Sequence, residues 1–294
     1  MFERPSARLL ADGQRLLLQQ GPIDLVISAM GHATAVQAAY HAATRRFDGL
    51  LAELCDELTL LRAPVTDGGS LPTGVVARRM HAAVAPFAAA TFITPMAAVA
   101  GSVAEEILDA MVAVAPLQRA FVNNGGDIAL HLAENERFRI GLVDRPDSPG
   151  LFGTAVIAAA DAVRGIATSG YPGRSFSRGI AEAVTVLAPT AAMADAAATV
   201  IANAVDLPDH PAIIRKPAST IQSDCDLGGI AVTCQVGQLS KAEIEQAIAS
   251  GLTVAAGLQH RGLITSCAIH LQGQSRTLAL DAFNTITARE SPHA

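Results

Sequence analysis

Asp195 and Thr199 stand four residues apart in the Ala-rich run 191–205, a spacing that puts a carboxylate and a hydroxyl on one face of a helix. Two oxygen ligands so placed suit a hard cation such as Mg²⁺, which keeps several waters and is usually completed by substrate phosphates. Ordinary surface helices carry such pairs too, so spacing alone leaves both readings open. The second candidate is Asn123-Asn124-Gly125-Gly126-Asp127, whose paired glycines permit unusual backbone angles and close approach of a ligand. A plain β-turn with an Asx motif accounts for the same residues. The third is the segment 165–174, read as a loop, in which Thr168, Ser169, Gly170 and Arg174 could hold phosphate oxygens through N–H groups and a guanidinium, or serve only as a connection. None of the eight histidines forms an HxxxH or HExxH pattern, and no GxSxG, GxxxxGK[ST] or GxGxxG element occurs. Zinc hydrolysis, serine hydrolysis, P-loop and Rossmann mechanisms therefore have no positive support.

Composition bounds what can surround these residues. With 294 residues and 50% hydrophobic content, the chain can bury a large core in one domain or two joined lobes. A net charge of -6 offers no electrostatic footprint for nucleic acid or an acidic membrane, so an anionic ligand must be held locally. The four cysteines form no CxxC pair and read as buried, reduced thiols. The start Met1-Phe2-Glu3-Arg4-Pro5 lacks the apolar stretch of a secretory signal, and the expected compartment is the cytoplasm. Residues 82–104 carry no charge and are long enough to span a bilayer, but Pro86, Pro95 and Gly101 interrupt them. The preferred expectation there is a buried strand followed by a helix.

The elements that must position the candidates follow from periodicity. Strands are expected at 23–29, 119–122, 128–131, 138–143, 154–160, 183–188 and 263–271, and helices at 33–54, 96–114, 191–205 and 240–260. Thr190 can cap the third helix, and Ser240-Lys241-Ala242-Glu243 is a capping box for the fourth. Residues 67–72 read as a turn. Strands and helices alternate irregularly, so an α+β fold with mixed or mostly antiparallel sheets covered by helices fits better than a doubly wound one. No linker divides 1–294, which reads as a single unit. The Ala-rich helices are compatible with a homodimer.

Taken in order, these segments resemble the ApbE-like superfamily of FAD:protein FMN transferases, and more closely an uncharacterised branch of it. Met30-Gly31 is similar to an early Met-Gly element, Asn124-Gly125-Gly126-Asp127-Ile128 to a Gly-Gly-Asp motif, and Ile166-Ala167-Thr168-Ser169-Gly170 to an Ala-Thr-Ser-Gly loop. Val184-Thr185-Val186 leading to Asp195 and Thr199 resembles the valine-rich strand and Ala-Asp-x-x-x-Thr helix, and Pro95-Met96 through Glu105 resembles the uncharacterised branch. The likeness runs from about 23 to 205, with 240–285 similar to that branch alone. It implies a two-lobed, T-fold-related scaffold in which Asp195, Thr199 and a carbonyl near Ala104 hold Mg²⁺. It further implies FAD or a related nucleotide near Met30, Gly31, Asn124, Gly125, Gly126, Asp127, Thr168, Ser169, Gly170 and Arg174. The implied activity is FMN transfer to a cytoplasmic protein acceptor, or FAD pyrophosphate cleavage. Alternatives are the same scaffold acting on a non-flavin small molecule, and a non-catalytic binding or assembly protein. Glu105-Glu106 stands where the family has Lys-Gly, and the family's His-rich segment before the valine-rich strand is replaced by 174–180.

Overall fold

The computed structural model describes residues 4–143, 151–278 and 283–285. Two compact units make up the chain, one from Met1–Arg137, Ala158–Ala167 and Ala188–Ala196, the other from Phe138–Ile157, Thr168–Leu187 and Ala197–Ala294.

In the first unit, antiparallel strands β1 (Ser6–Leu9), β2 (Leu16–Gln20) and β3 (Ile23–Met30) lead into helices α1 (Ala33–Phe47), α2 (Leu50–Asp56), α3 (Leu58–Leu61) and α4 (Val75–Val84). Two 3-10 turns, Ala85–Phe87 and Pro95–Ala98, precede helix α5 (Val99–Val112), and the hairpin β4 (Arg119–Asn124) and β5 (Asp127–Leu132) follows. The strands lie in the order β1-β2-β3-β4-β5, with β5 paired to the start of β8 (Gly165–Ser169). Alternation explains the layering: Ile23, Leu25 and Ile27 of β3 are buried, as are Ala120, Val122 and Asn124 of β4, while their neighbours are more open. Helix α5 lies against β4, β5, α1 and α4. There Ile107 and Met111 join Leu25, Ile27, Phe47 and Met80 in one core, each large side chain contributing roughly 1.5–3 kcal/mol.

The second unit holds β9 (Ala183–Ala188), β12 (Ser266–Leu271) and β13 (Gln274–Leu278) in antiparallel order. β9 and β12 are buried at every position, as expected of strands covered on both faces. Helix α8 (Lys241–His260) packs on β12 and β13. Its expected capping box is present: Ser240 Oγ accepts from Glu243 N at 3.3 Å, and Glu243 Oε2 accepts from Ser240 N at 2.7 Å. Strands β6 (Arg137–Val143) and β7 (Leu151–Ala158) form a sheet with β14 (Phe283–Thr285), and β10 (Ile213–Pro217), α7 (Ala218–Ile221) and β11 (Ala231–Val236) complete the unit. Helix α6 (Ala191–Ala204) follows β9 directly.

Three expectations are corrected. The helix expected over 33–54 breaks at Asp48 and Gly49, where Gly49 adopts φ 85°, a left-handed conformation that ends a right-handed helix. No strand lies within 82–104; the end of α4 and the two 3-10 turns stand there, because Pro86 and Pro95 each sit early in a 3-10 turn. The segment read as a loop at 165–174 begins as strand β8. Among the described residues, no helix is long and apolar enough to cross a membrane.

Candidate functional site

Helix α5 starts at Val99 after a turn, so its first N–H groups have no partner within the helix. Asp195, on the second turn of α6, supplies one: its Oδ2 accepts from Gly101 N at 2.9 Å, and the Ala100 N–H also binds its carboxylate. The reverse arrangement holds the start of α6. Glu105, on the second turn of α5, accepts from Ala192 N at 3.3 Å and is bound by the Ala191 N–H and the Thr190 side chain. Each helix thus carries the carboxylate that caps the other. Thr190 adds the expected local cap, its Oγ1 accepting from Met193 N at 3.2 Å. The two starts meet at Gly101, where an added Cβ would lie 2.3 Å from the carbonyl oxygen of Ala191. Only glycine permits that approach.

The Gly-Gly-Asp motif is delivered to the same region by the β4–β5 hairpin. Asn124 and Asp127 pair across a two-residue turn in which Gly125 (φ 67°) and Gly126 (φ 118°) both have positive φ, as a tight hairpin turn requires. Asn123 Oδ1 accepts from Gly126 N at 2.8 Å, so the Asx motif is present. Asn124 is on the buried face of β4, 8% exposed, and its Nδ2 donates to Ala100 O at 3.2 Å, tying the hairpin to the start of α5.

The negative charge of Asp127 bears on Asp195. Burial strips water from Asp195 and pushes its carboxyl well above the usual carboxylate range; the negative charge of Asp127 pushes the same way, and the Gly101 and Ala100 N–H groups oppose both. Glu105 is raised too, because burial outweighs the pull of Arg79. Arg79 gathers the acids of α5, with Nε 3.2 Å from Glu105, NH1 3.3 Å from Glu106 and NH2 2.7 Å from Asp109. Arg46 holds Glu106 at 2.6 Å and Glu53 at 2.9 Å. Glu105 and Glu106 are therefore bound into the unit by ion pairs and caps.

The structure gathers some sequence candidates and separates others. Asn124, Gly125, Gly126, Asp127 and Asp195 converge on the start of α5, and Thr199 lies one turn beyond Asp195 on α6. Ala104 is fully buried one turn inside α5, where the helix directs its carbonyl to the Leu108 N–H and leaves the second lone pair. Met30 and Gly31 lie at the far end of β3: Met30 pairs with Arg119, whereas Leu25 pairs with Asn124, a displacement of roughly 17 Å along the strands. Met30 is 41% exposed, and its Sδ accepts from Arg119 NH2 at 2.7 Å. In the other unit, Thr168 Oγ1 lies 2.9 Å from Thr185 Oγ1, and Ser169 ends β8. Gly170 there packs so closely that a Cβ would be 2.2 Å from the carbonyl oxygen of Glu182, and Arg174 is exposed in the following turn. Sequence reading missed the cross-helix roles of Glu105 and Asn124, whose partners are 87 and 24 residues away. No local pattern announces contacts of that kind.

Among the described residues, no group of three or more His, Cys, Asp or Glu side chains gathers around one point to hold a metal ion. The carboxylates of Asp195 and Asp127 near the start of α5 are nonetheless of the type Mg²⁺ uses, with remaining positions left to water and phosphate. A hard cation there would offset the burial and the Asp127 charge that disfavour the ionised Asp195.

Comparison with known proteins agrees with the motif pattern. A UPF0280 protein of Methanopyrus kandleri is 38% identical over 144 residues, covering 48% of this chain and 54% of that protein. A UPF0280 protein of Methanothermobacter thermautotrophicus is 40% identical over 120 residues, 40% of this chain and 44% of that protein. The chain spans about half the length of the curated relatives it matches. Among solved structures, it is similar to the apo form of the flavinyl transferase ApbE of Pseudomonas stutzeri, at 15% identity and a TM-score of 0.33, over 88% of this chain and 74% of that one. The AbpE bacteria family matches residues 7–277, nearly the whole chain, and the chain belongs to that family.

Proposed function

We propose that the chain is a Mg²⁺-dependent enzyme that acts on FAD or a related nucleotide, moving FMN to a cytoplasmic protein acceptor or cleaving the pyrophosphate. The observation that carries this reading is Asp195 held at the start of α5 by Gly101 N while Asn124, paired with Asp127 across the hairpin, binds Ala100 of the same helix start, with Thr199 one turn farther along α6. Asp195, Thr199 and the spare lone pair of Ala104 would hold the cation, which when bound neutralises pyrophosphate charge. Asp127 adds a second negative charge beside the cation. The Asn124 to Ala100 bond fixes the hairpin against α5, so that both carboxylates keep their places. In the transfer itself, an acceptor hydroxyl attacks the FMN phosphorus, its proton leaves to solvent, and AMP departs.

A second reading keeps the scaffold and changes the ligand to a non-flavin small molecule. It is favoured by Glu105 and Glu106, two acids bound to Arg79 and Arg46 where the resembling transferases carry Lys-Gly. One experiment separates the two: incubation with FAD, with and without Mg²⁺, followed by chromatography for AMP and FMN. Mg²⁺-dependent AMP release that vanishes in Asp195→Asn supports the flavin reading. Absence of both FAD binding and AMP release supports the second.

A further inference from the structure

A cavity of about 370 Å³ opens in the first unit beside α5, apart from the Asp127–Asp195 pair. Its size is at the lower end of small-molecule sites, roughly 300–1,000 Å³. Leu108 and Val112 of α5 and Ala129 of β5 give it apolar walls. Two polar groups on its lining are anchored by backbone carbonyls. His131 places Nε2 3.1 Å from the carbonyl oxygen of Leu117; a carbonyl can only accept, so Nε2 carries a proton, and in the neutral imidazole Nδ1 is the acceptor. Arg164 donates NH1 to the carbonyls of Asp161 and Val163 at 2.7 and 2.6 Å, and NH2 to that of Ala159 at 2.7 Å. These bonds leave Nε–H and one NH2 hydrogen, and no carboxylate among the described residues neutralises the guanidinium. The acids on the same lining, Glu105 and Asp109, already have Arg79 as their cation.

We propose that this cavity binds a small monocarboxylate bearing a hydroxyl next to the carboxylate and a short branched apolar chain, that is, a 2-hydroxy acid. Arg164 takes the carboxylate, because it is the cation of the lining without an acidic partner. His131 Nδ1 accepts from the hydroxyl, and the chain lies against Leu108, Val112 and Ala129. The site does not use Asp195 or Thr199 and stands or falls independently of the flavin reading.

The test is calorimetric titration of the full chain with 2-hydroxy-4-methylpentanoate and with 4-methylpentanoate, which lacks the hydroxyl. Both acids should bind saturably, the hydroxy acid roughly tenfold more tightly, the factor one satisfied hydrogen bond supplies. In His131→Phe the two acids should bind equally, a levelling that a purely structural role for His131 would not produce. Val112→Trp, which fills a partly open part of the wall, should abolish binding of both, whereas Asp195→Asn should leave both unchanged. Arg164→Met should weaken both; if that variant does not fold because its carbonyl contacts are lost, His131→Phe and Val112→Trp decide. Failure of both acids to bind at millimolar concentration, or unaltered binding in folded Val112→Trp, overturns the proposal.

Discussion

Asp195 has two roles that a single substitution can separate. Its carboxylate caps α5 through Gly101 and Ala100 and at the same time meets the charge of Asp127. Asp195→Ala removes the acceptor and should cost about 1–2 kcal/mol of stability without metal, the usual loss for a helix cap. Asp195→Asn keeps an acceptor oxygen and deletes the repelling charge, so its metal-free melting temperature should equal or exceed that of the unaltered protein. Both variants should lose the rise in melting temperature that Mg²⁺ produces if the cation binds here. Thermal melts with and without Mg²⁺ read all three outcomes, and an Asn variant that still gains stability from Mg²⁺ would remove Asp195 from the ligand set. Gly101→Ala belongs to the same contact: with a Cβ aimed at the Ala191 carbonyl, it should destabilise by about 1–3 kcal/mol through forced separation of the helix starts. Denaturant titration measures it, and a neutral result would mean that the helices separate at no cost.

At the scale of elements, what was legible in the sequence was what is local. The α8 capping box, the Thr190 cap and the Gly125-Gly126 turn each declare themselves within four residues. The absence of a strand before α5 was misread because apolar Ala-rich runs have the same composition in helix, turn and buried strand; the break at Gly49 was missed because apolar spacing continues on both sides of it, and the start of β8 because its glycine and hydroxyl residues read as a loop. The cross-capping of α5 and α6 was invisible, since neither carboxylate lies near its partner in sequence. The α8 start also yields a pH prediction. Glu243 is held down to about 2 from its ordinary 4.5, chiefly by His210 and then by Ser240, and His210 Nε2 is 2.9 Å from Glu243 Oε1. A folded-state value below the unfolded one stabilises above pH 4.5, and that contribution is lost as pH falls toward 2. The gap in melting temperature between the unaltered protein and Glu243→Gln should therefore close between pH 4.5 and 2; a gap independent of pH would assign the cap to its neutral hydrogen bonds. On α5, Arg79→Ala leaves Glu105, Glu106 and Asp109 without their shared cation. Because Glu105 and Glu106 are mostly shielded, the loss should reach about 3 kcal/mol, more than an exposed ion pair is worth, as measured by denaturant titration.

Over the whole molecule, the cysteines report on integrity. Cys267 is buried in β12 and its thiol is pushed up to about 12 by burial, whereas Cys234 is exposed and Cys55 and Cys225 are half-buried, against the expectation of four buried thiols. A thiol reagent at neutral pH should label Cys234 in the folded protein and reach Cys267 only on unfolding; prompt labelling of Cys267 would mean that β12 opens in the native state. The cross-capped helices have a consequence for how the chain is made. The Gly101 N–H waits for an acceptor 94 residues downstream, and synthesis proceeds at about 5–20 residues per second. A ribosome therefore emits the beginning of α5 roughly five to twenty seconds before the carboxylate that completes it. During that interval the nascent helix presents open N–H groups and an unburied glycine, a window in which a chaperone or a wrong acidic partner can occupy the place reserved for Asp195.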